Sequence, residues 1–142
     1  MSTKKLKVAL FISKMAEKSA GSNFLMAQQR LSDQEAKLRQ MEKYKQDYMI
    51  LAGVYSGVTT DASSLKIARR FLKQLDEVVS QQAITVTDHV EDLARHRQAW
   101  LRSRSHKKAI DTLISKRAAE EELERVKKDQ RVLDDIFASR DN

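Results

Sequence analysis

The chain has 142 residues and a formal net charge of +7, with 33% of residues charged, no Pro, no Cys, three Gly, one Trp and four Phe. Such a polar chain with so few large apolar residues excludes a thick globular core, and the missing cysteines exclude disulfides and thiolate metal sites. Ala, Leu, Glu, Lys, Arg and Gln dominate, and the apolar residues are too regularly spaced for disorder, so composition points to long helices in an all-α protein.

The N-terminal segment carries Lys4, Lys5, Lys7, Lys14 and Lys18. Within it "VALFI" (Val8 to Ile12) is a short apolar run flanked by lysines, far below the ~20 residues that span a bilayer. No signal peptide is seen, so a cytoplasmic protein is expected. "AGSN" (Ala20 to Asn23) holds poor helix formers and marks a point where the first helix would kink or be interrupted. From there apolar residues recur every seven. One column is Phe24, Leu31, Leu38, Lys45 and Ala52; the other is Ala27, Gln34, Met41, Tyr48 and Tyr55.

Gly53, Gly57 and the Thr59–Thr60 pair form the one cluster that weakens a helix. A turn is expected at about 56–61, between helix 1 at about 3–55 and helix 2 at about 62–138. Asp61, Ser63 or Ser64 would cap the second helix.

Helix 2 has an unbroken apolar column: Leu65, Leu72, Val79, Val86, Leu93 and Trp100. Its companion is mixed: Ala68, Leu75, Gln82, His89, His96, Ser103 and Ile110. The phase is expected to slip between about 105 and 118. A new stripe then runs through Ala119, Leu123, Val126, Gln130, Leu133 and Phe137.

Two heptad helices joined by a short turn must run antiparallel. The expected fold is a long antiparallel two-helix coiled-coil hairpin, one domain over residues 1–142. Folding about residue 58 sets residue 3 opposite about residue 114. The last ~25 residues then form an overhang, which is marginal alone in water. The same folding sets the N-terminal lysines beside "RHRQAWLRSRSHKK" (Arg95 to Lys108), which has six Lys/Arg and no acid. Basic beside basic costs stability, and something acidic should relieve it.

Catalytic chemistry is not expected, and no cofactor is implied. Gly21, Gly53 and Gly57 cannot make a phosphate loop, and a two-helix rod offers no concave pocket. His89 and His96 are two turns apart, too far to share a metal, and read as polar seam residues that hold register. The basic stretch lacks interleaved aromatics for nucleic-acid stacking; Trp100 lies in the seam column. An acidic protein surface is the better partner.

The stretch "RRFLKQLDEVVSQQ" (Arg69 to Gln82) has apolar residues beyond a two-stranded seam. Phe71, Leu75, Val78 and Gln82 are spaced i, i+4, i+7, i+11 along one face. Lys37, Met41, Tyr44 and Tyr48 repeat the spacing on helix 1. Met41 is expected opposite about residue 76 and Tyr44 opposite about 73. Met41, Tyr48 and Leu75 then edge the seam while Tyr44, Phe71 and Val78 flank it, a binding face more than a core.

The succession "KLRQMEKYKQDY", "RRFLKQLDEVVSQQ", Trp100, "KKAIDTL" and "DQRVLDDIFASR" resembles the FliJ family, a coiled-coil component of bacterial flagellar type III export, over about residues 30–140. The resemblance implies a stalk-like, non-enzymatic protein of the cytoplasm, held at the inner membrane through its partners. Those partners would be the hexameric export ATPase, the cytoplasmic domain of the export-gate membrane protein, and export chaperones. Gate binding carries over to Met41, Tyr44, Tyr48, Phe71, Leu75, Val78 and Gln82. Lys37 departs from the Gln often found in the family, and Gln82 from the His of some members. The ATPase contact is expected at the paired ends: Lys4, Lys5, Lys7, Arg102, Arg104 and Lys107, with Leu123, Val126, Leu133 and Phe137. The alternatives are the equivalent stalk of a virulence type III system, a basic nucleic-acid binder with steep salt dependence, and a purely structural rod.

Overall fold

The computed structural model describes residues 2–51 and 62–140. Helix α1 runs Thr3–Leu51 and helix α2 runs Ala62–Arg140. The two pack against each other as a helical hairpin, with no strand among the described residues. The turn expected at 56–61, the end of helix 1 to residue 55, and the candidate cap Asp61 lie outside the described residues. Ser63 and Ser64 lie inside α2 and so are not its caps. Helix α1 continues through Ala20–Asn23, against the expected interruption. One Gly costs about 1 kcal/mol in a helix interior, and the i→i−4 ladder on both sides carries through it.

The chain divides into two compact units. The first unit comprises residues 1–20 and 100–142. Its seam uses Thr3, Leu6, Leu10, Ser13 and Glu17 on α1, with Leu6 and Ser13 buried. On α2 it uses Trp100, Ser103, Lys107, Ile110, Ile114 and Arg117, with Ile110 buried. Both heptad columns therefore hold their phase as far as Arg117. The slip expected between about 105 and 118 is not seen: Ile114 and Arg117 keep their columns, and Glu121, seven beyond Ile114, still meets Thr3. All residues of 118–140 are exposed.

Register in this unit differs from the expectation. Thr3 Oγ1 donates to Glu121 Oε1 at 2.9 Å, whereas residue 3 was expected opposite about 114. The Ser13 Oγ and His106 Nδ1 share a 3.1 Å hydrogen bond. The expected clash of bases is relieved from within: Glu17 binds Lys107 at 2.6 Å and Arg104 at 3.9 Å. Arg104 also lies 5.0 Å over the Trp100 ring. The flanking lysines 4, 5, 7, 14 and 18 point to solvent.

The second unit comprises residues 21–99. Phe24, Leu31, Leu38 and Lys45 form one half-buried column of α1; Ala27, Gln34, Met41 and Tyr48 form the other, with Ala27 buried. On α2 the columns are Leu65, Leu72, Val79, Val86 and Leu93, and Ala68, Leu75, Gln82, His89 and His96. Most seam residues are only half-buried, as expected for a seam with one partner helix.

Polar contacts tie the helices across this seam. Gln82 Nε2 donates to the Gln34 carbonyl at 3.0 Å and to Gln34 Oε1 at 2.9 Å. Arg30 binds Asp92 at 3.3 Å, and Lys45 pairs with Asp76. The last pair sets Asp76 one turn beyond Met41, its expected opposite.

Candidate partner-binding surface

The extra apolar residues of both helices meet near the Tyr48 end of unit 2. The i+4 and i+7 spacing puts Met41, Tyr44 and Tyr48 on adjacent turns of α1 and Phe71, Leu75 and Val78 on adjacent turns of α2. Met41, Tyr48 and Leu75 are half-buried seam residues. Phe71, also half-buried, packs edge-on against Tyr48 with ring centroids 4.6 Å apart and planes 61° apart. That geometry suits aromatic quadrupoles and fixes the Phe71 ring at the flank. Tyr44 and Val78 stay outside, 55% and 50% exposed. A shallow groove lined by Lys37, Gln40, Met41 and Tyr44 runs beside them. Gln82 stands apart from the other six: its amide is engaged with Gln34 in the seam.

A second set of expected site residues lies in unit 1. Lys4, Lys5, Lys7, Arg102 and Arg104 are exposed, while Lys107 is a half-buried seam residue held by Glu17. Leu123, Val126, Leu133 and Phe137 are exposed, 49% to 60%. Val132 and Ile136 widen that stripe towards its end. Within it Arg125 bridges Glu122 at 2.7 Å and Asp129 at 3.1 Å. These ion pairs hold the Glu122 carboxyl below and the Arg125 guanidinium above their ordinary values, and brace an exposed stretch of helix.

Asp92 faces three bases: Arg30, Arg95 and His96. Partial burial raises its pKa, but the Arg30 hydrogen bond, the nearby His96 and the Arg95 hydrogen bond outweigh this, so it lies below its ordinary value. His96 Nε2 sits 3.5 Å from Asp92. Among the described residues no group of three or more His, Cys, Asp or Glu could hold a metal, and no helix is long and apolar enough to cross a membrane.

Sequence reasoning missed two features. Glu17 was passed over because its column, Thr3, Leu10, Glu17, is too polar to read as a seam. Val8, Phe11, Ile12 and Met15 form an exposed apolar face on α1. Their i, i+3, i+4, i+7 spacing was there to be found, but "VALFI" was weighed only as a membrane span.

Two long helices over a thin seam define a helical-hairpin, coiled-coil protein. The chain belongs to the FliJ family: the family described as flagellar FliJ protein matches residues 3–141, nearly the whole chain. Comparison with curated proteins and with solved structures gives no significant match. Membership makes the chain a non-catalytic component of the flagellar type III export apparatus.

Proposed function

We propose that this chain is a stalk-like coupling protein, with its aromatic flank docked on the cytoplasmic domain of the export-gate membrane protein. Its basic end and free helix engage the hexameric export ATPase, and it escorts export chaperones. It acts in the cytoplasm, at the inner membrane through these partners. The observation that carries the reading is the pairing of an ordered aromatic anchor, Phe71 on Tyr48, with two exposed neighbours, Tyr44 and Val78. Aromatic anchors ringed by apolar contacts are what binding hot spots are made of. Gln82 supports the patch indirectly, by holding register one turn away.

The test is binding of the full chain to the purified cytoplasmic domain of the gate protein. Tyr44→Ala and Val78→Ala should each weaken binding about tenfold or more, with wild-type helicity and melting temperature. Equal binding by wild type and both variants would remove the patch from the gate contact.

A further inference from the structure

The run that opens α1 carries two faces. At 100° per residue, Leu6, Leu10, Ser13 and Glu17 point one way, into the seam. Val8, Phe11, Ile12 and Met15 point the opposite way. They are 54%, 64%, 61% and 56% exposed, two turns of helix with large apolar side chains standing in water. Lys7, Lys14 and Lys18 line one flank of this face; Lys4 and Lys5 close its N-terminal end, all exposed. The segment's one acid, Glu17, is turned inward, where Lys107 and Arg104 neutralise it. The outward face is thus apolar in the middle, purely cationic at its edge, and free of acid.

We propose that this face lies on an anionic lipid surface, with Val8, Phe11, Ile12 and Met15 entering the headgroup–acyl boundary and the lysines contacting lipid phosphates. This is the chemistry of an interfacial amphipathic helix: an apolar face for the boundary and a cationic flank for anionic headgroups. Lysine suits the role, because its aliphatic stem lies along apolar surface while its ammonium reaches out. The composition favours lipid over protein as the occupant. Protein interfaces are depleted in Lys, whereas every charged residue on the rim of this face is a lysine. The face is also the convex back of a helix, turned away from the seam. The seam is on the other side, so lipid contact needs no unfolding. The proposal stands on unit 1 alone and needs no gate contact, but it draws on Lys4, Lys5 and Lys7, the same basic end given above to the ATPase.

The experiment is flotation of the full chain with vesicles of phosphatidylglycerol and phosphatidylethanolamine, beside vesicles of phosphatidylcholine. Binding to the anionic vesicles, weakened by salt and much reduced on phosphatidylcholine, is expected. Phe11→Ser with Ile12→Ser should lose about tenfold or more in vesicle affinity. Lys14→Gln with Lys18→Gln should lose about fivefold per lysine. Both variants should keep wild-type helicity and melting temperature. Absence of vesicle binding overturns the proposal. So does equal binding by wild type and the serine variant, which would mean charge alone. A serine variant that melts early would make the face core, and one that fails only in capture of the export ATPase would give it to a protein; either refutes lipid docking.

Discussion

Gln82 and Gln34 are joined twice: one amide nitrogen donates to both the backbone carbonyl and the side-chain oxygen of the facing residue. A polar pair inside an apolar seam fixes register, because any slip by a heptad leaves both amides without partners. Gln82→Ala should cost about 1 kcal/mol, seen as a drop of several degrees in the melting temperature. Gln34→Leu with Gln82→Leu should raise the melting temperature above wild type while admitting other pairings, which sedimentation would detect as new oligomers. A double variant that stays monomeric and melts early would show that the pair supplies stability and not register.

Phe71 has a dual position, packed on Tyr48 and open at the flank. Phe71→Ala should therefore destabilise the hairpin by about 1 kcal/mol, with helicity retained. Tyr44→Ala and Val78→Ala should leave thermal stability unchanged, since half or more of each side chain is in water. Melting followed by circular dichroism separates the two behaviours.

Glu17 neutralises two bases of α2 in a seam where its own side chain is only 20% exposed. Glu17→Gln should cost roughly 0.5–1 kcal/mol, because Lys107 would then sit in the seam without its acid. The loss should shrink in high salt, which screens the remaining repulsion. Thermal melts at low and high ionic strength check both points.

Asp92 has a folded-state pKa below its unfolded value, so the unfolded chain binds its proton first as pH falls. Its contribution to stability is whole above about 3.9, the unfolded value, and disappears as pH drops through the lower folded value. Asp92→Asn should melt earlier than wild type at pH 6, and the gap should close as pH falls through the lowered folded value. A constant gap over that range would mean that Asp92 acts by packing alone.

Every described residue of the terminal helix beyond Arg117 is exposed, and Glu121 is hydrogen-bonded to Thr3. A lone helix of that length is marginal, so amides of 118–140 should exchange fastest among the helical residues. Deleting 118–142 should leave the melting temperature of the remainder nearly unchanged while abolishing capture by the export ATPase. Hydrogen exchange and pull-down read the two outcomes.

Much of the fold was legible because Leu65 to Trp100 repeat without a fault, and a strict seven-residue column can only be a helix facing a partner. The first unit was harder to read. Its seam on α1 is Thr3, Leu6, Leu10, Ser13 and Glu17, small or polar, while the stronger apolar signal, Val8 to Met15, faces outward. On α2, Lys107 and Arg117 hold seam positions through their aliphatic stems, so the columns looked broken before they were. Glycines locate a turn only to within a few residues, so they do not fix register; pairs such as Thr3–Glu121 and Lys45–Asp76 do. The aromatic flank was legible from spacing alone. The inward turn of Glu17 was not, since it depends on which base lies across the seam.

The end of pairing at Arg117 is also where the sign of the charge reverses. Residues 1–20 and 100–117 hold eleven Lys/Arg and two acids, while 118–142 hold eight acids and five Lys/Arg. The first unit is therefore an electric dipole, with its negative pole beginning at Glu120, Glu121, Glu122 and Glu124. Such a body does not meet a charged surface at random: the field turns it before contact. Approaching an anionic sheet, its lysine pole would be drawn in and its glutamates driven off, leaving the terminal helix aimed at the aqueous side.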